Sequence, residues 1–158
     1  MSAAGQVWPD SALALVRAYA TGDAGAVSRA VAPLDETARA DTHAALGVLL
    51  RSTLSVAEVA AREIHADEVV RRADALAPAA PPHYEFAITE AVRAWAALDP
   101  ARAPEAAAQD PLATLHVAAV FLTALGQSLW GEPAFLHVLT EYERSLRSLH
   151  AGEWPDFD

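Results

Sequence analysis

From residue 110 to residue 131 the chain reads Asp-Pro-Leu-Ala-Thr-Leu-His-Val-Ala-Ala-Val-Phe-Leu-Thr-Ala-Leu-Gly-Gln-Ser-Leu-Trp-Gly, with no charged side chain between Asp110 and Glu132. A helix that is apolar on every side has no face to offer water, so it either spans a bilayer or sits at the middle of a core. Thr114, His116, Thr123, Gln127 and Ser128 interrupt the run, and no basic flank orients it. Both features are poor for a membrane span. The reading is a buried central helix, with Asp110 as its N-cap and Pro111 at its first position.

A weaker version of the run lies 73 positions earlier, where 42–50 aligns with 115–123 and His43 falls on His116. Pro9, Pro82 and Pro155 are also 73 apart, and Val16-Arg-Ala-Tyr19 returns as Val92-Arg-Ala-Trp95 at an offset of 76. The pattern suggests an internal repeat, 10–78 and 83–150, joined by the proline-rich segment 77–82. Ala/Leu-rich helical chains also produce such matches by chance.

The 158 residues are 53% hydrophobic, rich in alanine, and hold only two isoleucines. Alanine favours helix and β-branched side chains resist it. The expected fold is all-α: a compact single-domain bundle of about seven to eight helices, arranged as two duplicated four-helix units. A short irregular α-solenoid is the alternative. In order, the signals place helices over 11–21 after the cap Asp10, 24–32 after Asp23, and 36–54 after Asp35. Ser55 with Glu58 has the spacing of a capping box and starts a long helix to Leu76, with Val56, Val59, Ile64, Val69, Ala73 and Leu76 inward. The second half supplies 83–98, a short interrupted helix after Asp99-Pro100, the central helix, 134–150, and a tail from 152 to 158.

Charge and chemistry narrow the function. The formal net charge is −10, which disfavours nucleic acid and anionic membranes and leaves room for a basic protein partner. There is no cysteine, lysine or asparagine. Absence of cysteine removes disulfides and thiolate chemistry and is compatible with the cytoplasm. Eleven arginines without a lysine point to a GC-rich bacterial genome. The first eight residues lack a basic region before an apolar core, so no secretory signal is expected. No nucleophile turn or phosphate-cradling glycine loop is present, so no catalytic residue and no cofactor is assigned. The six histidines do not fall on cooperating helix faces, and no metal ligand is assigned.

Two sets of residues remain as candidates. Trp95, His116, Phe121 and Trp130 could line an apolar pocket between the halves, although aromatics at helical spacing usually fill a core. Trp154, Asp156, Phe157 and Asp158 combine anchors with acids and could dock on a partner, or Trp154 could fold back over the last helix. The function expected is a non-enzymatic helical protein–protein interaction module: an adaptor, a regulator or an acidic inhibitor of a basic partner. A small-molecule binder with a pocket between the halves and an enzyme with a noncontiguous site are the alternatives. Homo-oligomerisation is compatible with each.

Overall fold

The computed structural model describes residues 8–98 and 110–150. They form an all-α bundle of seven helices with no strand among the described residues: α1 (Trp8–Ala20), α2 (Ala24–Val31), α3 (Glu36–Val59), α4 (Ala66–Leu76), α5 (Pro82–Leu98), α6 (Pro111–Trp130) and α7 (Glu132–His150). The uncharged run becomes α6. Its most apolar stretch, of mean hydropathy 1.6, is 78% buried. α6 packs against α1, α3, α4, α5 and α7, and α1 also touches α2, α3 and α7. A central helix enclosed in this way makes a bundle, whereas a solenoid stacks each hairpin only on its neighbours.

Capping chemistry sets most boundaries. Asp23, Asp35 and Asp110 each accept a backbone N–H from the first turn of the helix they precede, at 3.0, 2.8 and 2.9 Å. The buried threonines satisfy their hydroxyls locally. Thr42, Thr53 and Thr123 donate to the carbonyls of Ala38, Leu49 and Ala119, four residues back, at 2.7, 2.8 and 2.7 Å.

Several boundaries differ from the sequence reading. α1 begins at Trp8, so Asp10 lies in its first turn and acts on the helix dipole from there. Ser55 does not start a helix. α3 runs through it to Val59, because Ala57 is buried and packing continues past the expected break. The long inward stripe expected from Val56 to Leu76 is therefore two pieces. Val69, Ala73 and Leu76 are buried on α4, while Val56 and Val59 are exposed on α3. On α4, Glu68 and Arg72, one turn apart with acid before base, pair at 3.2 Å. Arg62 lies beyond the end of α3 and donates to the Leu129 carbonyl at 3.4 Å. Phe86 on α5 is 75% exposed, although it falls on the helical stripe of Tyr84, Ile88, Val92 and Trp95 by spacing only in part. The proline-rich segment makes a 3₁₀ turn, Ala77–Ala79, with Ala77, Ala79 and Ala80 buried. The short helix expected after Asp99 and the tail from 152 lie outside the described residues.

The ends of α1 and α3 use the same motif with different residues. After α1, the Gly22 N–H bonds to Tyr19 and the Asp23 N–H to Ala18. After α3, the Ala61 N–H bonds to Glu58 and the Arg62 N–H to Ala57. Both are Schellman closures, which need a left-handed residue after the cap. Gly22 adopts φ +69 freely; Ala61 adopts φ 54 with a Cβ to accommodate. At the other end of the core, the Phe135 ring of α7 lies over Gly126 of α6. A Cβ built on Gly126 would fall 2.1 Å from that ring.

These two sites give opposite expectations in urea denaturation. Ala61→Gly removes strain of about 1–2 kcal/mol and returns about 0.4–1 kcal/mol to the unfolded chain, so it raises stability by up to about 1.5 kcal/mol. Gly126→Ala overpacks the α6–α7 contact and lowers stability by about 1–3 kcal/mol.

Candidate functional site

A buried helix without charges can still carry polar groups, provided each finds a partner inside. On α6 that demand falls on His116, which is only 1% exposed. Its Nδ1 lies 2.6 Å from the hydroxyl of Tyr19, a fully buried residue in the last turn of α1. The two rings meet nearly edge to face. Tyr84, in the first turn of α5, stacks on the imidazole with centroids 5.2 Å apart. Its hydroxyl is close enough to the carboxylate of Asp110, the residue that caps α6, for that group to raise its pKa. His83 lies against Tyr84 at 4.0 Å, and the Arg39 charge on α3 is felt at the Tyr84 hydroxyl. Four helices thus bring their ends to one polar cluster.

The electrostatics of the cluster follow from burial. Desolvation is the main reason that the His116 pKa falls to about 4; the His83 charge lowers it further, and Asp110 works against both. Burial pushes the Tyr19 hydroxyl upward, so it stays protonated. Tyr84 is also raised, by burial first and then by Asp110, while Arg39 opposes the shift. At neutral pH the Tyr19 O–H therefore donates to Nδ1 of an uncharged imidazole, whose proton sits on Nε2. This arrangement ties α1 to α6. A histidine with so low a pKa is a weak base, and its direct partners are two tyrosines rather than a carboxylate.

The other proposed pocket residues do not join His116. Trp95 meets Phe121 edge to face at 4.7 Å, and Trp130 stacks on Phe135 at 6.4 Å. His116, Phe121 and Trp130 are spread over about 21 Å of α6, so they enter three separate ring contacts. Trp154, Asp156, Phe157 and Asp158 lie outside the described residues. The histidine aligned with His116 in the 73-residue register, His43, is exposed. His137 is exposed as well and approaches Glu141 at 3.9 Å. Among the described residues no three His, Asp or Glu side chains are grouped to hold a metal ion.

Sequence reading singled out His116 but not its partners. The demand for a partner was legible, but not which residue would meet it. A tyrosine in a buried stripe and a histidine in an uncharged helix each need a hydrogen bond, and the cheapest solution is to pair them. Tyr84 and its link to the α6 cap carry no such signal.

The low His116 pKa makes stability depend on pH with a definite sign. The unfolded imidazole binds a proton near its ordinary value of about 6.5, whereas the folded one does so only near 4. The His116 contribution is full above about 6.5 and is lost as pH falls toward about 4, amounting to about 3 kcal/mol at most. In Tyr19→Phe/His116→Leu that part of the slope disappears. Urea titrations of both proteins between these pH values measure the difference.

No known protein family, curated protein or solved structure matches this chain.

Proposed function

We propose that the chain is a non-enzymatic interaction module that works in the cytoplasm and holds another protein against helix α3. The observation that carries this reading is where the large apolar side chains meet water. Among the described residues, four large hydrophobics are exposed: Val48 at 46%, Val56 at 45%, Val59 at 86%, and Phe86. Three of the four belong to α3. At 100° per residue, Val48 and Val59 lie within about 20° of each other, and Val56 is about 80° away. Ala44, Ser52 and Ser55 fill the same face. The result is an uncharged strip about 16 Å long on a chain whose net charge is −10.

Apolar patches of this kind are a recurring mark of interaction sites. A strip three turns long on a single helix suits an amphipathic helix of a partner laid alongside it, with side chains three and four apart as anchors. The acidity of the rest of the chain favours basic residues at the rim of that partner helix, which would speed encounter and fix orientation. The buried cluster around His116 contributes rigidity to the scaffold in this reading, not chemistry.

A photo-crosslinking residue placed at Val48 or Val59, with exposed Glu90 on α5 as the control position, tests the proposal. The expected result is the same adduct from both α3 positions, on a partner peptide with helical apolar spacing and flanking Arg or Lys, and none from Glu90. Val56→Glu abolishes that adduct while changing stability by less than about 0.5 kcal/mol. Adducts no stronger than at Glu90 would overturn the reading, and adducts only to a second copy of this chain would replace it with self-association.

A further inference from the structure

We infer that the α3–α4 connection is a hinge through which two copies of the chain exchange halves, the α1–α3 unit of each closing on the α4–α7 unit of the other. The six residues between Val59 and Ala66 read Ala-Ala-Arg-Glu-Ile-His, with no glycine or proline to force a turn. Most of them favour helix. The turn is made nevertheless, and it is weakly held at both ends. α3 closes on Ala61 at φ 54, a left-handed position filled without glycine. α4 opens on His65, which gives no side-chain bond to the first turn. Residues 58–63 are all exposed, so straightening them into helix uncovers no buried side chain. Only Ile64, half-buried against the core, gives up packing. The bond from Arg62 to the Leu129 carbonyl, long at 3.4 Å, is broken. In return, backbone groups at the end of α3 and the start of α4 gain helical partners.

The buried faces decide what a straightened chain can do. At 100° per residue, the buried side chains of α3, from Thr42 to Ala57, centre on one side of such a helix. Those of α4, Val69, Ala73 and Leu76, centre on a side about 170° away. In the monomer both helices lie on α6 and make little contact with each other. A continuous helix from Glu36 to Leu76, about 60 Å long, cannot bring two opposite sides onto one α6. It can bring them onto two. α1 packs on α2 and α3, while α6 packs on α4, α5 and α7, so each half is a self-contacting unit. The contacts that join the halves, chiefly α1 and α3 on α6 and α1 on α7, are rebuilt between copies. A short strained hinge beside an interface that can be remade intact is the physical condition for domain swapping.

This inference concerns the hinge and does not rest on the α3 docking reading. The chain has no cysteine, so introduced thiols report cleanly. Arg17 and Glu143, paired at 3.3 Å, mark neighbours across the two halves. Chains carrying Arg17→Cys are mixed in urea with chains carrying Glu143→Cys and refolded together at high concentration. The dimer is isolated by size exclusion with light scattering and treated with a short bis-maleimide. The expected product joins position 17 of one chain to position 143 of the other. Ala61→Gly eases the turn and weakens the straight helix, so it raises the dimer dissociation constant at least about tenfold. Ala61→Val, whose branched side chain resists positive φ, lowers it. Absence of a dimer, a dimer without the 17–143 link, or a dissociation constant indifferent to Ala61→Gly would each overturn the inference. Circular dichroism shows that the variants retain their helices.

Discussion

A helix of twenty residues without a charge cannot be half solvated, and the rest of the structure depends on satisfying that constraint. α6 is enclosed by α1, α3, α4, α5 and α7, so each of these needs only one apolar stripe and can expose its remaining faces. The enclosure also dictates what polar groups α6 can carry. Thr123 turns its hydroxyl back to the Ala119 carbonyl, and His116 takes its hydrogen bond from Tyr19. Gly126 lets the ring of Phe135 come so close that α7 lies directly on the central helix. Each is a local answer to the problem of packing an apolar rod without leaving voids or unpaired groups.

The parts of the fold that were legible in the sequence are those decided by local physics. Absence of charge marked α6, and Asp23, Asp35 and Asp110 marked helix starts through capping. The α3–α4 boundary was not legible, because a glycine usually occupies the left-handed position that Ala61 takes, and Ser55 mimics a cap in the middle of a helix. Periodicity also misled where an apolar residue faces water. Val56 and Val59 fit inward stripes by spacing, and only the placement of neighbouring helices decides that they do not. The candidate site divides in the same way. His116 stood out on its own helix, but Tyr19 is 97 residues away, and a contact of that separation leaves no local trace.

The same division bears on function. The interior holds the most conspicuous chemistry, a tyrosine–histidine–tyrosine cluster close to the α6 cap, yet the burial that makes it conspicuous also neutralises it. The surface that differs from an ordinary acidic exterior is the α3 strip. It lies on a helix of the first half of the chain that is held in place by α6 from the second. A scaffold of this kind separates stability from recognition: exposed valines and arginines can change without disturbing the enclosed rod.

The position of α6 late in the chain has a consequence for synthesis. Residues emerge from the ribosome in order, and α1, α3, α4 and α5 are complete before α6 appears. Until then, four amphipathic helices have no rod to close around, and the hydroxyl of Tyr19 has no imidazole to bind. Contacts that join the first helix to the sixth carry a high loop-closure cost and form late. The nascent first half therefore presents its inner faces to water for the time needed to translate α5 and the segment beyond it. During that interval the acidic outer faces are what keep neighbouring nascent chains apart.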